Sequence, residues 1–598
     1  MKRFLTLLFI VCMLFSICGC STEYELYTLL PNEFLLGESV SDSGEIITPE
    51  SQYNDTAQLT VEDINAMNNG DTQMVFSDDG YLTFLNGKYY ENKVEDQEDA
   101  VESIKGIAAL IGLGKGSDFF CEYGARDPNG YCIYTFKQRY GEQTIQYGTL
   151  RVIVDPDGYT AGFACSFTPN IGRAEEVEWI PQETAEQIVL NTYEGKELTV
   201  YSEYTEKVAV TVDEVVYSAY VVYTNNFIKS AVTAGMPYLE HYVSYDGRLL
   251  NTLSTATVAS DTLDERALNY FEGMETSSYT GTVTLCDGST KQVTVPIAYS
   301  PQDNMYYLMD AERKIAVADY ASFVYQGFVN FSSSSTGKDW DNNHLIAYSN
   351  YMEVYDFFAN LGIDSVDGTG VPILICCDWV DQNGVPYNNA CNMGIINGFN
   401  VFGASDANTF TEAIDVCAHE YTHGITGYSM GGSVYLNNTG AINEAYSDIL
   451  GNIVEMSLGR TYDTSQWLVG EMSGAALRSM SDPHASNPAQ PVSLSDPNFY
   501  PLIPDEYMND YDYVQNHDNG GVHINNSLLS QMAYKLFAAG MSYEEQAWLW
   551  ITSIELMTPL SEYEEVYAAL MMSMEMNGID EKYEQILTDA FREAQLIG

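Results

Sequence analysis

The run His419-Glu420-Tyr421-Thr422-His423 constrains this 598-residue chain more than any other stretch. On a helix, residues four apart leave the same face one turn apart, so His419 and His423 present their imidazoles together. That spacing lets two ring nitrogens share one Zn²⁺, with Glu420 beside the ion where a bound water would lie. Taken alone, the motif has three fixed positions, and a helix carrying two surface histidines satisfies it equally well.

The downstream sequence separates the two readings. Twenty-one residues past His423 lies Glu444, within Gly440-Ala441-Ile442-Asn443-Glu444-Ala445-Tyr446-Ser447-Asp448. A catalytic zinc uses three protein ligands and one open position, and His₂Glu is one of the known sets, so Glu444 is the natural third ligand. Asp448 falls one helical turn later, placed to accept the spare N–H of a ligand imidazole. Two small-residue turns, Gly431-Gly432 and Thr439-Gly440, are expected to separate the two helices. A solvated acidic face is the alternative for Glu444 and Asp448. Further on, Asp518-Asn519-Gly520-Gly521-Val522-His523 sets a glycine pair before a histidine. His523 is a candidate donor to an oxyanion, with Asp518 placed to orient it. The chain has seven histidines, and the 419–423 and 518–523 motifs hold three of them.

In this order and spacing the motifs resemble those of thermolysin-like zinc metallopeptidases over roughly residues 280 to 598. Tyr387-Asn388-Asn389-Ala390, Val434-Tyr435 and the segment from Ala476 to Pro483 also match. The resemblance implies His419, His423 and Glu444 as zinc ligands. It implies Glu420 as the general base that takes a proton from zinc-bound water and passes it to the leaving amine. Tyr435 and His523 would stabilise the tetrahedral intermediate. Asn389 and the backbone of Ala390 would hold the peptide, Arg478 would bond a substrate carbonyl, and Asp448, Asn443 and Asp518 would support the histidines. By position, Val416, Val469 and Leu477 resemble the apolar lining for the residue after the scissile bond, which predicts cleavage before Leu, Ile, Val or Phe. Ordinary core packing is the alternative for these three.

The chain departs from the family in places. Asp415, Glu455 and Glu471 match three carboxylates of a double calcium site, but Gln466 and Leu468 stand where two others are expected. Ca²⁺ takes six to eight oxygens, so at most one weakly bound ion is expected there. Asp339-Trp340-Asp341-Asn342 is a second candidate calcium loop. After Ala390 the chain reads Cys391-Asn392, where aromatic residues are usual.

The net charge of −59, from 84 acidic and 25 basic residues, argues against nucleic acid or anionic lipid as a partner. Protein or peptide substrates, and the chain's own pro-region as inhibitor and folding aid, are the partners the resemblance implies. Met1-Lys2-Arg3 followed by the apolar run Phe4 to Ile17 reads as a secretory signal peptide. Gly19-Cys20 resembles a bacterial lipoprotein cleavage site. Cys20 would then be lipidated, leaving the protein anchored outside the cytoplasm on the cell surface; ordinary secretion is the alternative. No other run is long enough to span a bilayer. Cys121, Cys132, Cys165, Cys286, Cys376, Cys377, Cys391 and Cys417 follow, too sparse for a disulfide scaffold and without zinc-site spacing. Free thiols and bridges both stay open.

The expected fold class is α+β. A signal segment (1–20) and a tether (21–55) precede two small α+β units. The first, 57–170, resembles a fungalysin/thermolysin-type propeptide domain, with a helix over Val101–Leu113 and strands at 131–136 and 149–154. The second, 178–258, resembles a PepSY domain, with a helix near Glu183–Thr192 and strands near 208–223 and 241–244. A β-rich lobe with the zinc helix (280–428) and an α-helical lobe (429–598) follow. Tyr351–Leu361 reads as a helix, and Ser561-Glu562-Tyr563-Glu564 reads as a capping box. Pro-region cleavage is expected between about Ser260 and Thr282. A catalytically inactive surface-binding protein on the same fold is the competing reading, and a zinc exopeptidase a third.

Overall fold

The computed structural model describes residues 58–598 apart from 115–116, 173, 175, 196–197, 213–214, 226–237, 258–269, 320–329, 381–388, 393–398, 404–409, 461–466, 474–475, 505–506 and 509. The signal segment with Cys20, the tether, Tyr387, Asn388, Gln466 and the first part of the expected processing window lie outside the described residues.

Strands dominate the front of the chain. β1 (Gln73–Phe76) and β2 (Leu82–Asn86) precede helix α1 (Gln97–Ile107). β3 (Asp118–Arg126), β4 (Cys132–Tyr140), β5 (Gln143–Val154) and β6 (Thr160–Cys165) follow. α1 starts four residues before the expected Val101 because the Asp96 carboxylate accepts from the N–H groups of Glu98 and Asp99. Its face of Val101, Ile104 and Ile107 packs on Phe119, Phe136, Leu150 and Phe163. Next come α2 (Gln182–Thr192), β7 (Glu206–Val212), β8 (Val215–Asn225), β9 (Tyr238–Ser244) and β10 (Leu249–Thr257). The apolar run expected as strand near 208–223 is a hairpin, with Val212 opposite Val215. The two segments have separate apolar cores. They nevertheless share one sheet, in the order β1-β2-β6-β5-β7-β8-β9-β10, joined where Ile145 pairs in parallel with Ala209.

The second half begins with the long hairpin of β11 (Glu275–Thr284) and β12 (Thr290–Ser300). β13 (Met305–Tyr307), β14 (Met309–Asp310), β15 (Ile315–Asp319), β16 (Asn330–Phe331) and β17 (Ser333–Ser334) follow. α3 (Asn342–Ala359) leads to β18 (Ile373–Trp379), β19 (Ala390–Asn392) and β20 (Phe399–Gly403). Parallel β15, β18 and β20 are extended by antiparallel β19 at the edge. α3 starts nine residues before the expected Tyr351, because the Asp341 carboxylate accepts from the N–H groups of Asn343 and His344. Asp341, a candidate calcium ligand by sequence, is thus a helix cap, and Asp339 accepts the Thr336 hydroxyl.

The rest is mainly helical: α4 (Ile414–Ser429), the short β21 (Ser433–Val434), α5 (Asn437–Ser457), α6 (Asp518–Asn525), α7 (Ser527–Ala538), α8 (Tyr543–Leu556), α9 (Tyr563–Met576) and α10 (Lys582–Glu593). The architecture is α+β, a β-rich part followed by an α-helical one. Thr439 and Gly440 lie inside α5, so the turn between the two motif helices spans only 430–436. The capping box of α9 is made by Glu562 and Glu565, one residue later than Ser561 suggests. Met572, Met574 and Met576 are buried in the helical core. None of the eight described cysteines forms a disulfide with another. Among the described residues, no helix is long and apolar enough to cross a membrane.

The front half grips the link between α4 and α5. β10 pairs with β21, Thr255 opposite Val434 and Thr257 opposite Ser433. The Arg151 guanidinium donates to the carbonyls of Ser429, at the end of α4, and Glu555, near the end of α8. A Cβ added to Gly432 would lie 3.2 Å from the Tyr147 ring, and one added to Gly431 would lie 2.7 Å from Lys137 Nζ. Thr83 donates to Glu565 at 2.6 Å.

Candidate active site

α4 and α5 are buried on nearly all sides and pack closely. Gly451 permits this contact, since a Cβ there would meet the Asp415 carbonyl at 2.6 Å. His419 and His423 therefore face Glu444. The two Nε2 atoms lie 3.0 Å apart. Glu444 Oε2 is 3.4 Å from His419 Nε2, and Oε1 is 3.3 Å from His423 Nε2. The other ring nitrogens are held from behind. His419 Nδ1 sits 2.9 Å from Asp448 Oδ1, and His423 Nδ1 sits 2.5 Å from Asn443 Oδ1 and 3.1 Å from the Ser447 hydroxyl. With each Nδ1 so engaged, both Nε2 lone pairs point at one spot.

The electrostatics of that spot ask for a cation. Glu444 is 1 % exposed, and its Oε2 has no hydrogen-bond donor. Burial would raise its pKa, but the imidazoles of His523, His423 and His419 hold it well below the ordinary value. Burial would depress His419, yet Glu444 and Asp448 outweigh it and lift the imidazole to about 10. Nitrogen and carboxylate donors converging within 4.8 Å suit tetrahedral Zn²⁺.

The three residues line a cleft of about 700 Å³ with Asn389, Ala390, Glu420, Tyr435, Arg478 and His523. Burial raises Glu420 above its ordinary value, against the pull of His419 and His423. Tyr435 donates its hydroxyl to Glu444 and lies 3.2 Å from His523 Nε2. His523 is aimed by Asp518, whose carboxylate meets its Nδ1 at 2.6 Å and its backbone N–H at 3.0 Å. The turn that permits this has left-handed φ at Asn519, Gly520 and Gly521. Arg478 gives its Nε and Nη2 to Asp448, at 2.7 and 2.6 Å. Those two donors are engaged within the protein. Val416, Val469 and Leu477 lie together in the cleft wall, joined by Phe410. Ser447 and Asn392 lie in segments read by sequence but carried no role there, whereas Phe410 and Asn526, which donates to Asp448 at 2.7 Å, escaped the sequence reading. No pattern marks them, since they arrive from separate segments.

On the other side of α4, Asp415, Glu455 and Glu471 bring carboxylate oxygens within 4.8 Å of one another. Among the described residues, none donates to either Glu455 oxygen, to Asp415 Oδ1 or to Glu471 Oε2. Burial, with a smaller push from Asp448, raises Asp415 to about 6, and burial with repulsion from the neighbouring carboxylates of the triplet raises Glu471 to about 7 and Glu455 to about 10. Leu468 is half-buried and offers no side-chain oxygen.

The thermolysin metallopeptidase catalytic-domain family model matches residues 286–427, and the model for its alpha-helical domain matches 432–596. The thermostable neutral protease NprT of Geobacillus stearothermophilus is 30% identical over 445 residues, covering 70% of this chain and 72% of that protein. The chain belongs to the thermolysin family. Like that family, this chain is a zinc-dependent metalloendopeptidase. A thermolysin of Alicyclobacillus acidocaldarius is 32% identical over 47% of the chain and 51% of its own length. An extracellular metalloprotease of Pectobacterium carotovorum is 35% identical over 35% of the chain and 59% of its own length. Among solved structures, the precursor of protealysin from Serratia proteamaculans aligns at 25% identity and TM-score 0.39, covering 47% of this chain and 87% of that one.

Proposed function

We propose that this thermolysin-family chain is an extracellular neutral endopeptidase, made as a precursor, with Glu420 as its general base. The observation that carries the reading is the convergence of His419, His423 and Glu444 beside Glu420 in one cleft. Relatives named as extracellular and neutral proteases support the compartment and the working pH. Zn²⁺ held by those three ligands would supply a Lewis acid that polarises the peptide carbonyl and eases ionisation of water. Glu420 takes the proton of the attacking water and delivers it to the departing amine, and its raised pKa suits a group that must both accept and return a proton. Tyr435 Oη and His523 Nε2 donate to the developing oxyanion, worth about 3 kcal/mol each. Asn389 and the Ala390 backbone hold the peptide as an added strand. Arg478 positions Asp448 and through it His419. The apolar wall of Phe410, Val416, Val469 and Leu477 favours a hydrophobic residue after the scissile bond.

The segment before β11 acts as a pro-region in two units, 57–170 and 178–258, that inhibits the enzyme and guides its folding. Within the expected cleavage window, Glu275 to Thr282 are already paired in β11, so the cut falls ahead of Glu275. The N-terminal segment directs export, and Cys20 is its lipidation point; a Cys20→Ser chain should pass from the detergent phase to the medium. The acidic triplet takes one Ca²⁺. Calcium chelation should lower the thermal midpoint while leaving the zinc stoichiometry intact, and a midpoint indifferent to calcium would refute that site.

The direct test compares the full-length chain with Glu420→Ala on casein. The intact chain should shorten to a fragment that begins just ahead of Glu275 and cut casein, while the variant binds zinc and does neither. A Glu420→Ala chain that still cuts would end the assignment.

A further inference from the structure

We propose that Asn392, backed by Asn400, is a positioning residue that ties the edge strand of the cleft to the zinc helix at Glu420. This rests on the reading of Glu420 as the base. β19 is three residues long and, among the described residues, has a sheet partner on one side only. Such an edge is weakly held by its ladder alone. Its last residue, Asn392, lies directly opposite Asn400 of β20. Both are buried, at 4 % and 0 % exposure. Asn392 Nδ2 donates to Asn400 Oδ1 at 2.8 Å and to the Glu420 backbone carbonyl at 3.1 Å. An amide nitrogen has two protons, and the two acceptors engage both. The backbone of Asn392 also bonds Glu420.

Asn392 thus binds Glu420 through its side chain and its backbone. The strand it belongs to begins at Ala390, next to Asn389, which line the same cleft. The bridge therefore sets the distance between a peptide lying on β19 and the carboxylate meant to act on it.

The bridge predicts a loss in turnover rather than in binding. Misplacing a reacting group by about 1 Å is worth up to about a hundredfold in rate. Asn392→Leu keeps the branched shape, at a somewhat larger volume, and removes both donors. In the matured enzyme, kcat on an internally quenched peptide should fall by at least about tenfold, with KM within about threefold and zinc content unchanged. If that variant does not fold, Asn400→Leu removes the acceptor that orients the amide and should show the same split, more weakly. On a Glu420→Asp background, Asn392→Leu should add less than about threefold, because it acts through the same carboxylate. The inference is overturned by an unchanged kcat, by a loss confined to KM, or by a full second tenfold loss on Glu420→Asp. If Glu420→Ala is inactive and both leucine variants retain full kcat, this inference alone fails. If Glu420→Ala is active, the assignment of the base fails first.

Discussion

Asp448 shows how much one buried side chain holds at the residue scale. At 1 % exposure it faces His419 with one oxygen and takes Arg478 and Asn526 on the other, with a second Arg478 bond to the first. Asp448→Asn turns an N–H₂ group toward donors and leaves a buried guanidinium half-paired. Zinc affinity should fall by about 10- to 100-fold, and stability by about 3 kcal/mol. A zinc-buffered titration that matches the parent would refute this. His419, His423, Glu444 and Asp448 were legible because each pair repeats at four residues, and helical geometry turns that interval into a shared face. The commitment of Arg478 to Asp448 was not legible. A guanidinium can bond a substrate or a carboxylate, and only the packing of its segment on α5 shows two of its donors engaged.

At the scale of elements, the close contact of α4 and α5 decides whether the ligands meet. Gly451→Ala places a methyl 2.6 Å from the Asp415 carbonyl, so the helices must part. It should destabilise the protein by about 1–3 kcal/mol and lower zinc occupancy together; a lower thermal midpoint with full zinc affinity would contradict the link. β9 carries a second test. Glu240 is buried beneath the hydroxyls of Tyr147 and Tyr242, and burial raises it to about 7. Its folded value exceeds its ordinary one, so its contribution to stability is full below about 4.5 and is lost as pH rises through 7. Its neighbour His241 is lowered by burial to about 3, and its contribution is present above about 6.5 and is lost as pH falls. In the full-length Glu420→Ala chain, Glu240→Gln should therefore strengthen hydrogen-exchange protection of β9 at pH 8 by up to about 3 kcal/mol, and not at pH 4.5. Equal effects at both pH values would exclude titration of Glu240 as the cause. Element type was readable from apolar period, whereas starts were shifted by caps such as Asp96 and Asp341, whose side chains outweigh the apolar pattern at the boundary.

At the scale of the molecule, β10 and β21 make one sheet of the front half and the link between the ligand helices. Arg151 fastens the same link through the end of α4. Arg151→Met keeps the apolar stem and removes the charge-assisted bonds. The separated front half, added in trans to the matured enzyme, should then inhibit at least about tenfold less tightly. Unchanged inhibition would show that the grip on Ser429 and Glu555 adds nothing. The sequence by itself determined the family, the α+β order of elements and which residues stand as candidate zinc ligands. Those depend on intervals of a few residues, which helical and strand periods convert directly into faces. Only the tertiary structure decided that two separately cored units share a sheet, that this sheet runs on into the 433–434 strand, and that Asn392 meets Glu420. Each of these joins segments far apart in the chain through one or two hydrogen bonds, and no local period of the sequence encodes such a meeting.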